Sequence, residues 1–388
     1  MPLSARLAGM TTATRTSSRW GIAVATASAA LLAACSGDDA PRSDITRAPA
    51  TSAVPSASGA PASPTPGGGE IDLGSPEQVA SGIDVPWGLA FLPDGSALVA
   101  ERDTAQILRV RTGGAKPQTV YKVPGVSASG EGGLLGLAVA ADYARTKWVY
   151  AYYTAAEDNR IVRFKLDGGG DPEVIFDGID KAGIHNGGRI AFGPDKMLYV
   201  GTGDAGDGTA AQDKSDTNGK ILRLTPQGKA SPGNPTAGSP VWTMGHRNVQ
   251  GLAWQADGTM WAIEFGQNRV DEVNKIEKGK NYGWPEVEGK GDDDRYVNPL
   301  VTWSTDDASP SGAAIAGDTL YVAALRGERL WTVPLGGGEP KAEFSGRYGR
   351  LRTVAVAPDG ALWLTTSNTD GRGDVKDGDD RILRFPAG

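Results

Sequence analysis

One pattern recurs six times along the chain and constrains the fold more than any other feature of the sequence. In each copy a glycine accompanies an alternating apolar strand, a Pro-Asp-Gly-like turn follows, and a second strand rich in Leu, Val, Tyr and Trp comes next. Two-residue Asp-Gly turns between such strands are typical of β-hairpins. The copies lie at residues 87–95, 136–142, 188–195, 251–258, 312–318 and 354–360.

Each repeated unit is too small to bury a hydrophobic face alone, so neighbouring units must pack against one another. Repeats of about 40–65 residues with this strand pattern are typical of propeller blades. The sequence therefore predicts an all-β, six-bladed β-propeller. Several blades also contain a strand with a central arginine, such as residues 107–110 and 221–224. The longer segments after blades three, four and six are expected to form loops on one face, where functional residues commonly lie.

The N-terminus predicts export. Arg15 and Arg19 precede an apolar run at residues 20–34, which is too short and too rich in alanine for a stable membrane span. The run ends in Leu-Ala-Ala followed by Cys35, which resembles the lipobox of bacterial lipoproteins, where the cysteine is lipidated. We expect residues 1–34 to be a signal peptide and Cys35 to anchor the protein on the outer face of the cell membrane or in the periplasm. An ordinary signal peptide that is cut nearby is the alternative.

Composition divides the rest of the chain. Residues 35–69 consist mainly of small, polar and proline residues, which predicts a disordered tether and leaves residues 70–388 as the propeller domain.

Cysteine content and charge exclude two further features. Cys35 is the only cysteine, so a disulfide within the chain is excluded. The net charge of −7 argues against a nucleic-acid partner. Acidic stretches at residues 292–294 and 374–380 are interpreted as solvated loops, with metal binding as the alternative.

The chain has only two histidines, and His185 lies where a catalytic group would be expected. It begins the inner strand of the third blade, and the inner strands of a propeller surround its central channel. Asp204 follows the paired strand of the same hairpin, so its carboxylate could accept an imidazole N–H and fix the tautomer of a general base. A histidine with a purely structural role is the alternative interpretation.

The second histidine, His246, lies in a Gly-His-Arg-Asn-Val-Gln-Gly segment at the matching position of the next blade. Arg247 and Asn248 should then also face the channel beside His185. A cation and an amide buried together are unfavourable unless they meet an anionic or carbonyl-rich ligand. A structural salt bridge remains the alternative for this pair.

Together these motifs resemble the soluble PQQ-dependent glucose and aldose-sugar dehydrogenases, which are six-bladed propellers, across residues 85–385. By this resemblance His185 is the general base that removes the proton of the sugar C1 hydroxyl, Asp204 supports it, and Arg247 polarises the quinone carbonyl. The resemblance is carried by His-x-x-Gly-Arg at 185–189, Gly-Asp at 203–204, and the segments at 245–251, 266–274, 279–285 and 350–352.

The resemblance also implies a binding site for PQQ. Asn248 corresponds to a residue at the quinone, and Arg350 and Arg352 correspond to residues that hold the carboxylates of PQQ. Two arginines at positions i and i+2 of a strand share a face and can reach one polyanion. Glu131 replaces a glutamine of the family and Arg326 replaces a lysine, so both are expected beside PQQ.

Two calcium ions are implied by the same resemblance. The backbone carbonyls of Gly266 and Gln267 correspond to ligands of the ion bound to PQQ. Glu272 and the carbonyl of Tyr282 correspond to ligands of a second ion. Hard oxygen ligands of this kind suit Ca²⁺.

The implied activity is oxidation of the C1 hydroxyl of aldoses to lactones, with electrons passing from PQQ to an external acceptor. Ile184 stands where the family often has an aspartate, and several loops are short, which favours a broad range of aldoses over glucose alone. Two alternatives remain on the same fold, namely a Ca²⁺-dependent sugar lactonase and a non-catalytic binding propeller of the cell envelope.

Overall fold

The computed structural model describes residues 69–168 and 170–388, and these form six four-stranded antiparallel sheets. The predicted all-β, six-bladed propeller is therefore confirmed. The strands are β1 (Glu77–Ser81), β2 (Pro86–Phe91), β3 (Ala97–Glu101), β4 (Gln106–Val110), β5 (Gln118–Lys122), β6 (Leu134–Val139), β7 (Val149–Thr154), β8 (Asn159–Phe164), β9 (Glu173–Ile179), β10 (Ile190–Phe192), β11 (Leu198–Gly201), β12 (Lys220–Leu224), β13 (Val241–Met244), β14 (Val249–Trp254), β15 (Met260–Glu264), β16 (Val270–Ile276), β17 (Val301–Ser304), β18 (Pro310–Ala316), β19 (Thr319–Ala324), β20 (Arg329–Pro334), β21 (Lys341–Glu343), β22 (Leu351–Val356), β23 (Leu362–Thr366) and β24 (Arg381–Phe385).

Helical structure is limited to one α-helical turn, α1 (Tyr143–Thr146), and one 3-10 helix (Gly208–Gln212) in the described residues. In this part of the chain no helix has the length and apolar character needed to cross a membrane. The predicted signal peptide, the lipidation site Cys35 and the tether up to residue 68 lie outside the described residues.

The two ends of the propeller domain meet in the sixth blade. Its strand order is β1-β24-β23-β22, and β1 pairs antiparallel with β24, with Glu77 opposite Arg384 and Ser81 opposite Arg381. The first five blades are each built from four consecutive strands, starting with β2–β5. The sixth repeat of the sequence therefore supplies only three strands, and hydrogen bonding of the N-terminal strand completes the ring.

In blades one, three, four and six the hairpin turn is one residue longer than the two-residue turn that the repeat predicts, so the prediction is wrong there, whereas blade five has the two-residue turn between Ala316 and Thr319. In the first blade the Leu92 N–H donates to the Ser96 carbonyl at 2.8 Å, and Gly95 in the loop between them has φ +80°. This is a three-residue loop whose last residue is left-handed, which explains the preference for glycine there. The turn aspartate also explains the arginines of the third strands, because Asp94 pairs with Arg109 of β4 in the same blade.

Neighbouring blades approach one another closely at the glycines of their inner strands. A Cβ on Gly136 of β6 would lie 2.1 Å from the Gly188 carbonyl oxygen of the next blade. A Cβ on Gly88 of β2 would lie 2.4 Å from the Leu135 carbonyl oxygen. The glycine of the repeat is therefore required by backbone packing around the central channel. Farther from the channel, large side chains such as Tyr152 fill the space between adjacent sheets.

The three long segments lie within blades three, four and six, not after them. They connect β11 to β12 (202–219), β16 to β17 (277–300) and β23 to β24 (367–380). The first two segments meet where the Trp284 indole N–H donates to Asp204 at 2.8 Å. The third segment reaches the loop before β6, where Arg372 contacts Glu131 at 3.0 Å. Loops from three different blades therefore surround one region of the molecule.

Replacing Gly136 by alanine is expected to lower the free energy of unfolding by about 1–3 kcal/mol, because the new methyl group would overlap backbone of the third blade. Urea denaturation followed by tryptophan fluorescence measures this change. The matched control is Gly336→Ala, since nothing lies within 4 Å of a Cβ at that position. Equal stability of the two variants would contradict the close packing of the inner strands.

Candidate active site

His185 is held by contacts to both of its ring nitrogens. Its Nδ1 lies 2.7 Å from Oδ1 of Asp204, and its Nε2 lies 2.8 Å from Nη2 of Arg247. A guanidinium group can only donate, so Nε2 accepts a hydrogen bond and Nδ1 carries the proton that is donated to Asp204. The structure thus brings together the three residues predicted for catalysis, and the tautomer leaves the basic lone pair on Nε2.

Asp204 lies in the loop after β11 and is almost fully buried. Oδ1 also accepts the Gly206 N–H at 2.8 Å, and Oδ2 accepts the indole N–H of Trp284 at 2.8 Å. Burial acts to raise the pKa of Asp204, but the hydrogen bonds from His185, Gly206 and Trp284 outweigh it and lower the pKa below its ordinary value. Asp204 is therefore an ionised carboxylate that favours a positive charge on His185.

Arg247 approaches His185 from the segment before β14. Its Nη1 donates to the Phe265 carbonyl at 3.2 Å, and its guanidinium lies 5.5 Å from the centre of the Trp284 ring. Burial lowers the pKa of Arg247. Within the described residues Arg247 forms no ion pair with a carboxylate, so the geometry does not support the structural salt bridge considered from the sequence.

Asn248 is fully buried beside this group. Its Oδ1 accepts the Gly187 N–H at 3.0 Å, while its Nδ2 has no hydrogen-bond partner in the described structure. The same is true of the Nε atom of Arg247. Buried donors without a partner are rare in native proteins, and they call for an additional acceptor such as a ligand.

His246 has a different role from His185, although both lie shortly before the inner strand of a blade. It is fully buried, with Nε2 2.8 Å from the Thr243 hydroxyl and Nδ1 3.0 Å from Glu264. Its ring stacks on Tyr282 with the centroids 4.7 Å apart. These contacts satisfy both nitrogens within the protein core, so His246 has a structural role.

A cavity of about 320 Å³ lies next to the His185 group. Its lining carries five arginines and a single acidic residue. The lining residues are Trp87, Arg102, Glu131, Gln250, Phe265, Ser309, Leu325, Arg326, Arg350, Arg352 and Arg372. His185 and Arg247 border this cavity through their hydrogen bonds to Glu131 and Phe265. Such a concentration of guanidinium groups suits a ligand with several carboxylates.

The structure places Arg350 and Arg352 together at the cavity, as the sequence predicts. Arg350 donates two hydrogen bonds, of 3.0 and 2.9 Å, to Oδ2 of Asp370. Arg352 donates to Gln250 at 3.1 Å, while its Nε atom has no partner in the described structure. Burial lowers the pKa of Arg352 to about 10, so its charge persists at neutral pH but is poorly solvated.

The other two residues predicted for the cofactor site lie at the edge of the cavity. The Arg326 side chain is 61% exposed and pairs with Asp306 at 2.6 Å. Glu131 accepts the backbone N–H of His185 at 3.0 Å with one carboxylate oxygen and is bonded to Arg372 at 3.0 Å with the other. Ile184, next to His185, is exposed.

Sequence reasoning did not assign a role to Arg189, which the structure places behind the cavity. Its Nε donates to the Gln250 carbonyl at 2.7 Å, and its guanidinium lies 4.4 Å from the centre of the Trp87 ring. Burial and the nearby Arg352 lower the pKa of Arg189 to about 9. The sequence did contain a signal for Arg189, because this residue ends the His-x-x-Gly-Arg motif. Arg102 and Arg372 had no comparable signal, because neither lies in a recognisable motif.

Three of the four residues predicted as calcium ligands, Gly266, Glu272 and Tyr282, line a small cavity of about 10 Å³, and Gln267 is not among its lining residues. This volume is about that of one water molecule or cation. In the described residues no donor bonds to the carbonyl oxygens of Gly266, Gln267 or Tyr282. Burial and the nearby Glu264 raise the pKa of Glu272. The protein therefore places too little positive charge beside this carboxylate to stabilise its ionised form.

The oxygen donors around the small cavity fit a calcium ion better than a transition metal. Asn274 lies 3.0 Å from Glu272, and its buried Oδ1 has no partner in the described structure. Carbonyl, amide and carboxylate oxygens are the ligands that Ca²⁺ prefers. The described residues contain no group of three or more His, Cys, Asp or Glu side chains that could hold a metal ion.

Comparison with known proteins finds relatives in both sequence and fold. Residues 83–383 match the family model for glucose/sorbosone dehydrogenase. The PQQ-bound structure of aldose sugar dehydrogenase from Streptomyces coelicolor is similar with a TM-score of 0.78 and 54% sequence identity, over 84% of this chain and 99% of that chain. Aldose sugar dehydrogenase YliI of Escherichia coli K12 is 28% identical over 329 residues, which cover 74% of this chain and 89% of the relative.

Quinoprotein glucose dehydrogenase B of Acinetobacter calcoaceticus is 30% identical over 280 residues, which cover 61% of this chain and 59% of the relative. The family match spans five blades completely and, in the sixth, everything except β1 and the last two residues of β24. The chain therefore belongs to the glucose/sorbosone dehydrogenase family of sugar oxidoreductases.

Proposed function

We propose that this protein oxidises the C1 hydroxyl of aldose sugars to lactones with PQQ as the hydride acceptor. The observation that carries the proposal is the chain of hydrogen bonds from Asp204 through His185 to Arg247 beside a cavity lined by five arginines. The 54% identity with an enzyme whose solved structure contains PQQ supports the choice of cofactor.

In this proposal His185 is the general base. The lone pair on Nε2 takes the proton of the C1 hydroxyl, which must displace Arg247 from the position 2.8 Å from Nε2. The positive charge that then forms on the imidazole ring is stabilised by Asp204. When bound, PQQ would accept the hydride that leaves C1. The sugar thus loses one proton and one hydride, and its C1–O bond becomes the lactone carbonyl.

Arg247 has the electrophilic role in this scheme. Once the hydroxyl displaces it from Nε2, its Nη2 donor is available for an oxygen on which negative charge develops. The N–H of Arg247 donates to Glu264 at 2.8 Å and Nη1 donates to Phe265, so both ends of the residue are held. The guanidinium can therefore stay anchored through Nη1 while Nη2 changes its partner.

The cavity residues fit the three carboxylates of PQQ. Arg350 and Arg352 would bind two of the carboxylates, and Arg326 would contribute from the exposed edge of the cavity. The unpartnered Arg352 Nε and Asn248 Nδ2 atoms are donors that carbonyl or carboxylate oxygens of a ligand would satisfy. Glu131 is the one group on this lining with the wrong charge for such a ligand.

We further propose that Ca²⁺ binds at the small cavity and beside PQQ. The carbonyl oxygens of Gly266 and Gln267 would hold the ion next to the cofactor. Glu272 and the Tyr282 carbonyl would hold the second ion. The raised pKa of Glu272 supports this assignment, because a cation would remove the penalty of burying its charge.

The cavity lining favours the oxidoreductase over a sugar lactonase. A Ca²⁺-dependent lactonase needs carboxylate and amide ligands around a metal in the channel, whereas this lining has five arginines and one carboxylate. A binding propeller without activity would not require the base-and-carboxylate pair at 2.7 Å.

We also propose an external electron acceptor as the second partner of the enzyme, after the sugar, because the electrons that PQQ takes from the sugar must pass to another molecule.

PQQ is expected to bind the apo-protein in a saturable way with one molecule per chain, and more weakly when Ca²⁺ is removed. Absorbance titration with and without Ca²⁺ measures this binding, and dye reduction with a panel of aldoses measures the activity. No spectral change and no dye reduction with any sugar would contradict the proposed function. Lactone hydrolysis in the absence of PQQ would favour the lactonase instead.

His185→Ala is expected to lower kcat by about 10²–10⁴-fold, because general-base catalysis by an oriented imidazole is worth that much. PQQ affinity should change little, since His185 does not line the arginine-rich cavity. Asp204→Asn should also lower kcat, because the amide no longer stabilises the protonated imidazole. Full turnover of His185→Ala would remove His185 from the mechanism.

We propose that the protein is exported and anchored by lipid on Cys35. Cys35→Ser should move the protein from the detergent phase to the aqueous phase in phase separation, since acyl chains supply the membrane affinity. Dye-reduction activity should remain. The matched control is Ser43→Ala, which lies in the same predicted tether. If Cys35→Ser stays in the detergent phase, Cys35 is not the anchor.

A further inference from the structure

Glu131 is the only acidic residue among the described residues that line the arginine-rich cavity. It precedes β6, and its Oε2 accepts the N–H of His185, which has a left-handed φ of +54°. This hydrogen bond fixes the backbone of the proposed base. The Glu131 carboxylate therefore has a structural role at this position, but it also places a negative charge where an anionic cofactor would bind.

The charge of Glu131 is balanced by Arg372, which lies in the loop between β23 and β24. Nη1 of Arg372 lies 3.0 Å from Oε1 of Glu131. Burial acts to raise the pKa of Glu131, but the hydrogen bond from His185 and the pairing with Arg372 outweigh it and lower the pKa. Glu131 is thus ionised, and Arg372 is the one cation within salt-bridge distance of it in the described residues.

The other cations of the cavity are engaged elsewhere. Arg350 and Arg352 lie 2.9 and 3.5 Å from Asp370, and Arg102 pairs with Asp103 at 2.6 Å. Arg372 differs from Arg350 and Arg352 in exposure, because 57% of its side chain is accessible, against 9% and 6% for theirs. Its backbone N–H is held by Asp370 at 2.9 Å, so the start of the side chain is fixed relative to Arg350.

We propose that Arg372 is a positioning residue that neutralises Glu131 and so makes the cavity compatible with a cofactor that carries several carboxylates. It acts through Glu131 and not by binding the cofactor itself. Without Arg372 the Glu131 carboxylate would repel a neighbouring carboxylate of the ligand, and the repulsion would be strong because the site is partly buried. This inference rests on PQQ as the cofactor in the proposed function.

The test is a double-mutant cycle on the dissociation constant of PQQ, measured by titration of the full-length apo-protein with Ca²⁺ present. Arg372→Gln should weaken PQQ binding by about tenfold or more, because it leaves an unpaired charge beside the ligand. Glu131→Gln should bind at least as tightly as the wild type, since the amide oxygen can still accept the His185 N–H. The double variant Glu131→Gln/Arg372→Gln should bind within about threefold of the wild type, because it removes both charges of the pair together.

Two further measurements distinguish an electrostatic effect of the Arg372→Gln substitution from a structural one. The loss in Arg372→Gln should shrink in part at high salt, because the site is only partly buried and salt still screens its charges to some extent. Arg145→Gln is the matched control, because Arg145 is an exposed arginine that pairs with Asp142 beyond the far end of β6. It should leave the PQQ affinity unchanged. Thermal unfolding of every variant confirms that it is folded.

The outcomes distinguish the two proposals. If the wild type binds PQQ and the double variant is as weak as Arg372→Gln, Arg372 binds the cofactor directly and the compensating role is wrong. The role is also wrong if Arg372→Gln binds as tightly as the wild type. If the wild type binds no PQQ, the proposed cofactor fails, and the role of Arg372 fails with it.

Discussion

Closure of the ring by β1 is the constraint on which the rest of the structure depends. The pairing of β1 with β24 brings the first strand of the domain into the blade that also contains β22 and β23. Blade six is thereby fixed against blade one, and its inner strand carries Arg352 while its long loop carries Asp370 and Arg372. Arginine positions that are far from His185 in the sequence come to lie around the same cavity because the ring is closed.

The cavity is a region of buried charge, and the partners of its arginines show how that burial is tolerated. Arg350 is neutralised by Asp370, whereas Arg189 relies on a carbonyl, a hydroxyl and the face of Trp87. Burial lowers the pKa of Arg189 and Arg352, which shows that their charges are incompletely compensated by the protein. A polyanionic ligand would supply the missing charge, so ligand binding and folding stability are linked at this site.

The sequence predicts the fold and the centre of the site because both depend on local patterns. Six hairpin repeats define six blades, and one hairpin places His185 and Asp204 within hydrogen-bonding distance. The donation of β1 to blade six and the pairing of Arg372 with Glu131 across 241 residues depend on the closed ring, so no local pattern predicts them. The sequence also does not distinguish the roles of the two histidines, since each lies shortly before the inner strand of a blade, whereas the structure encloses His246 in core residues.

The hydrogen bonds around Arg247 show that both histidines belong to one arrangement. Glu264 accepts from the His246 ring with Oε1 and from the Arg247 N–H with Oε2. The buried His246–Glu264 pair thus fixes the backbone of Arg247, and Arg247 in turn holds Nε2 of His185. A structural histidine thereby supports the proposed base through one carboxylate and one guanidinium. Because the Asp204 N–H donates to the Arg247 carbonyl at 2.8 Å, a shift of Glu264 that moved the Arg247 backbone would also act on Asp204.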